Sequence, residues 1–99
     1  MAQTIQKTNS ITAFRKPSKY KVVLHNDNAT PMSFVTSLLV ELFRFNNERA
    51  EKVMMEIHLE GKGVAGVYSF EVAEQKQSEA TIISRGAGYP LVISLEEDN

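Results

Sequence analysis

Apolar and polar positions change period several times along the chain. Tyr20, Val22 and Leu24 alternate with Lys21, Val23 and His25, a period of two that predicts a strand with one face buried and the Lys21 and His25 side solvated. Asn26-Asp27-Asn28 ends it, because short polar side chains bond to nearby backbone and favour turns. Thr30 then offers an N-cap hydroxyl, and Pro31 suits the first helical position, where its missing N–H is no loss. Phe34, Val35, Leu38, Leu39, Leu42 and Phe43 follow at helical spacing as one apolar stripe.

Asn46-Asn47 interrupts this stripe and can cap a second helix, with Ala50, Val53, Met54 and Ile57 on one face and Glu48, Glu51, Lys52 and Glu56 polar; Gly61 and Gly63 stop it. Val64 to Tyr68 reads as a short strand. Ser69 caps a third helix with Val72, Ala73, Ala80 and Ile83 inward, ended by Gly86, Gly88 and Pro90. Leu91, Ile93 and Leu95 alternate again as a final strand before Glu96-Glu97-Asp98. The order strand, helix, helix, strand, helix, strand predicts an α+β fold: a small two-layer sandwich with about three helices packed on a three-stranded antiparallel sheet. No internal repeat is present.

Composition narrows the function. A chain of 99 residues with 42% hydrophobic content supports one core, expected over 19–99, and residues 1–18, rich in Gln, Thr, Ser and Lys with no sustained period, read as a flexible extension. A transit peptide shares that composition, but a strand starting near Lys19 leaves it little room. The absence of cysteine excludes disulfides, thiolate metal sites and a Cys nucleophile. A net charge of -1 with scattered Lys and Arg argues against nucleic acid as a partner, and the apolar run near Phe34 to Phe43 is too short for a bilayer, so no membrane association is expected.

Few residue sets point to chemistry. Ser33 or Ser69, His58 and Asp27 can be drawn as a hydrolytic triad, yet neither serine stands in a G-x-S-x-G elbow. His25, Asp27 and His58 match no compact metal-ligand spacing. Gly61-Lys62-Gly63 and Gly86-Ala87-Gly88 lack the rest of a phosphate-binding signature and read as turns. His58 lies one helical turn after Met54, and the polar run Asn26-Asp27-Asn28 precedes a helix whose first turn brings Met32 and Val35. Polar acceptors beside an apolar slot suit a ligand with a cationic head and a greasy side chain, although Met54 alone reads as core filler.

These residues resemble those of a known family. Tyr20 to Leu24 followed by Asn26-Asp27-Asn28-Ala29-Thr30-Pro31-Met32-Ser33-Phe34-Val35 is similar to the N-D-D-x-T-P-M-x-F-V segment of ClpS adaptors. In register come Met54, Ile57-His58, Gly61-Lys62-Gly63-Val64-Ala65-Gly66-Val67-Tyr68, Glu71-Val72-Ala73-Glu74-Gln75-Lys76, and Pro90-Leu91 to Leu95-Glu96-Glu97. The resemblance implies a non-enzymatic, monomeric and cytoplasmic bacterial adaptor, the plastid stroma being the second compartment. It would bind N-degrons, free N-termini beginning with Phe, Tyr, Trp or Leu, and deliver them to the N-terminal domain of a Clp AAA+ unfoldase. No cofactor or metal is implied.

By position the resemblance assigns Asn26, Asp27, Asn28 and His58 to the ligand's ammonium. Thr30, Met32, Val35, Met54, Ile57 and Leu91 would form the side-chain pocket, Glu71 and Lys76 would dock the unfoldase, and residues 1–18 would engage it during hand-over. The chain departs from the pattern at Asn28, where an acid is usual, and at Ala29, where an aromatic is common; an amide offers the ammonium a dipole but no charge. The rival expectation is a factor-docking module resembling the C-terminal domain of the ribosomal stalk protein, which would have no reason to assemble Asn26, Met32, Met54 and His58.

Overall fold

The pleated alternation of β1 (Lys19–His25) sets the frame of the fold. The computed structural model describes residues 18–98. After β1 come α1 (Met32–Glu41), α2 (Asn47–Glu60), β2 (Lys62–Ser69), α3 (Phe70–Gly86) and β3 (Val92–Asp98). β1 is the centre of a three-stranded antiparallel sheet in the order β2-β1-β3. All three helices contribute buried side chains to the core that also takes in Val22, Leu24, Ala65 and Ile93 of the sheet. The expected α+β architecture is therefore present, whereas the extension read over 1–18 falls outside the described residues except for Ser18.

Local chemistry explains the boundaries. The Asn46 side chain accepts from the Arg49 N–H at 2.8 Å and starts α2, and Ser69 does the same for α3 through the Val72 N–H. Gly61, at φ 95, ends α2 in the left-handed region, donating to the Ile57 carbonyl. Arg44 takes a similar conformation, φ 64, after α1, and Phe45 N–H then folds back onto the Leu39 carbonyl. Lys76 Nζ donates to the Leu42 carbonyl at 3.1 Å, so α3 supplies a cation to the end of α1.

Several sequence expectations need correction. Pro31, with ψ 144, is itself the N-cap of α1, and the Thr30 hydroxyl turns back to Asp27 instead of capping the helix. β2 is longer than Val64 to Tyr68, because its pairing with β1 begins at Lys62 opposite His25 and ends at Ser69 opposite Lys19. Val72 and Ile83 are 41% and 45% exposed; α3 buries Ala73, Ala80 and Ser84, small residues that let the helix lie close to the sheet. Ser84 is satisfied there by donating to the Ala80 carbonyl at 2.7 Å. Val23, on the β1 face expected to be solvated, is 1% exposed, and His25 on the same face shares a 2.7 Å hydrogen bond with Ser94.

Two glycines of β2 are required by close approach. A Cβ on Gly63 would lie 2.8 Å from Ile57 Cγ1, so α2 packs directly against the strand backbone. A Cβ on Gly66 would collide with the Tyr68 ring, which lies over it.

Candidate functional site

Antiparallel pairing brings three chain junctions to one end of the sheet. His25, the last residue of β1, is opposite Lys62 at the start of β2 and Val92 at the start of β3. The β1–α1 loop, the α2–β2 turn and the α3–β3 turn therefore meet there. Asn26 N–H donates to the Gly61 carbonyl at 2.8 Å, which fastens the Asn26-Asp27-Asn28 run to the end of the helix that carries His58.

The loop is organised around Asp27. Its Oδ1 accepts from the N–H groups of Ala29 and Thr30 at 2.8 and 2.7 Å, and its Oδ2 accepts from the Thr30 hydroxyl at 2.7 Å. Burial pushes the carboxyl upward, but the Thr30 hydroxyl, the two N–H donors and the charge of Arg85 outweigh it and hold the carboxyl below its ordinary value. Asp27 is thus an ionised strut of the loop, with its oxygens turned inward. The side chains of Asn26 and Asn28 remain exposed, as does His58 in the last turn of α2. This end of the molecule therefore carries exposed amide and imidazole groups and one ionised carboxylate.

Val35, Met54, Ile57 and Leu91 belong to one buried cluster and come from α1, α2 and the residue before β3. Met32 is 45% exposed and Thr30 half-buried, so the six residues expected to form the side-chain pocket divide into four buried and two accessible ones. Depressions of about 250 Å3 between α1 and α3, lined by Phe34, Leu38, Leu42 and Ile83, and about 340 Å3 on the outer sheet face lie elsewhere. The residues expected to form the site line neither of these depressions.

Glu71 and Lys76 occupy another part of the fold. Glu71 is exposed in the first turn of α3, at the opposite end of the sheet, next to Phe70, whose ring meets Tyr20 edge-on with centroids 5.1 Å apart. Lys76 is half-buried and committed to the Leu42 carbonyl. Five residues apart, the two point about 140° away from each other around the helix. Sequence reasoning passed over Arg85, whose Nη1 donates to the carbonyls of Tyr89 and Leu91 at 3.0 and 2.8 Å. Its signal was available: a basic residue in the last turn of a helix, followed by glycine. Among the described residues no group of His, Asp and Glu could hold a metal ion, and no helix is long and apolar enough to cross a membrane.

Comparison with known proteins agrees with the fold. The family model described as "ATP-dependent Clp protease adaptor protein ClpS" matches residues 15–94. An ATP-dependent Clp protease adapter protein ClpS from Lawsonia intracellularis is 47% identical over 83 residues, covering 84% of this chain and 76% of the relative. That of Vibrio cholerae is 44% identical over 86 residues, covering 87% and 81%. The structure of Agrobacterium tumefaciens ClpS2 bound to L-phenylalaninamide superposes with a TM-score of 0.81 at 40% identity, covering 84% of this chain and 100% of that one. On the match to the family model and the identity to these relatives, this chain belongs to the ClpS family of Clp protease adaptors.

Proposed function

We propose that the chain is a non-enzymatic adaptor that captures proteins by a free N-terminal Phe, Tyr, Trp or Leu and delivers them to a Clp AAA+ unfoldase in the bacterial cytoplasm. The observation that carries this reading is the ligand of the Agrobacterium relative, L-phenylalaninamide, which consists of an ammonium beside a benzyl side chain. An ammonium has only donors and needs acceptors. Asn26, Asn28 and an unprotonated nitrogen of His58 are the exposed groups able to accept, with the Asp27 charge behind them. The first side chain enters past Met32 and Thr30 to rest on Val35, Met54, Ile57 and Leu91, the two methionines yielding because their unbranched side chains adapt.

Magnitudes require both halves of the ligand. Burying one large apolar side chain contributes about 1.5–3 kcal/mol. Micromolar affinity needs about 8 kcal/mol. Hydrogen bonds to a charged group add about 1.5–3 kcal/mol each and fill much of the difference. A polarisation titration with a Phe-initiated peptide and its N-acetylated form tests the reading: only the free amine should bind, and His58→Ala should weaken it. Equal binding of the two peptides would refute it.

Delivery uses other surfaces. Glu71 is the exposed group offered to the unfoldase, and Lys76 joins it only by releasing the Leu42 carbonyl. Removing residues 1–17 should leave peptide affinity intact while degradation of a Phe-initiated reporter by a reconstituted unfoldase and protease falls.

A further inference from the structure

Leu91, one of the proposed pocket residues, is 1% exposed yet lies just outside the β3 ladder, whose last pair is His25 with Val92. Strand pairing therefore does not fix its backbone. The preceding turn is held by main-chain bonds only as far as Tyr89: Gly88 N–H reaches the Arg85 carbonyl and Tyr89 N–H the Ser84 carbonyl, and Pro90 brings no N–H. Beyond that point the connection is the Arg85 guanidinium, whose one Nη1 bridges the carbonyls of Tyr89 and Leu91. The Tyr89 ring meets Phe34 edge-on at 4.9 Å and seats the same turn on α1.

Resting on the reading of the site given above, we propose that Arg85 is a positioning residue for first-residue selection, fixing Leu91 as a wall of the slot. The Arg85 charge is also the smallest of the influences that hold the Asp27 carboxyl below its ordinary value. The wall's position decides how deep the slot is, so losing the clamp should change which side chain fits as well as how tightly it binds.

The full-length protein should be titrated with Phe-initiated and Leu-initiated peptides as wild type, Arg85→Ala and Arg85→Lys. The Asp27 side-chain carboxyl is followed through its own acid titration by NMR. For Arg85→Ala, affinity should fall several-fold, the ratio of Phe to Leu binding should change, and the Asp27 midpoint should rise slightly. Arg85→Lys keeps the charge on a shorter side chain without a planar guanidinium. It should restore the Asp27 midpoint but not the wild-type ratio. If Arg85→Ala does not fold, Arg85→Lys decides alone. Wild-type affinity and ratio in a folded variant would overturn this inference while leaving the site reading intact, whereas failure of the wild type to bind either peptide would overturn both.

Discussion

Lys62 and Glu96 meet at 2.9 Å although β1 lies between the strands that carry them. Lys62 is opposite His25 and Glu96 is opposite Lys21, so the pair crosses the outer face diagonally at the level of Val23. The long side chains shelter that valine, which explains how an outward residue becomes buried. Val23→Ala should therefore destabilise by about 1.5–3 kcal/mol, as for a core valine, measured by urea denaturation. Lys62→Ala should have a smaller effect that shrinks with added salt, because the pair is largely exposed. The hydrogen bond from Lys62, against a burial effect of opposite sign, holds the Glu96 carboxyl below its ordinary value, so the contribution of the pair is present near neutrality and disappears in acid.

The loop should respond to acid for a separate reason. Asp27 has its carboxyl depressed in the folded state, so the stability it confers is complete above the unfolded value of about 3.9 and is lost as pH falls through the lower folded value. Thr30→Ala removes the hydroxyl donor to Oδ2. It should raise the Asp27 midpoint and reduce stability near neutrality by about 1 kcal/mol, less than a fully buried charged hydrogen bond. An NMR titration and a thermal melt at neutral pH check the two parts.

Gly63→Ala should propagate into the site. The new methyl would press on Ile57 Cγ1, and overpacking of this kind costs about 1–3 kcal/mol. Because Ile57 is one of the proposed pocket residues, calorimetric binding of a Phe-initiated peptide should weaken along with the melting temperature. A stability loss with unchanged affinity would remove Ile57 from the proposed slot.

Arg44→Gly should stabilise the protein. Arg44 occupies the left-handed region at the end of α1, a conformation that costs a residue with a Cβ about 1–2 kcal/mol, partly offset by the greater freedom glycine has when unfolded. A gain of about 0.5–1 kcal/mol, or a few degrees in Tm, is expected. Peptide affinity should not change, since Arg44 lies at the far end of α1 from Met32.

The architecture was legible because each element carries its own signal: alternation in β1 and β3, the stripe of α1, and the Asn46, Ser69 and Gly61 caps. The errors came where distant chain segments decide. Sheltering of Val23 depends on side chains from the two strands that flank β1, and α3 turned Ser84 inward instead of Ile83 because a helix close to a sheet needs small residues there. Thr30 carried a true polar signal, but its partner was Asp27 three residues back instead of the helix ahead. Motif resemblance indicated which polar and apolar residues belong together; it carried no trace of the Arg85 clamp, whose acceptors are backbone carbonyls that any residue would supply.

Lys19 and Asp98 are cross-strand partners, so the described chain enters and leaves the sheet side by side. The three junctions at His25, Lys62 and Val92 lie at the other end of the same strands. Seven residues of β1 at about 3.4 Å each put roughly 20 Å between them. A fluorophore, a surface tether or a fused reporter attached beyond Asp98 would consequently project away from the amide-rich end. Immobilisation through that terminus is the orientation in which single-molecule or biosensor measurements would leave the ligand approach unobstructed.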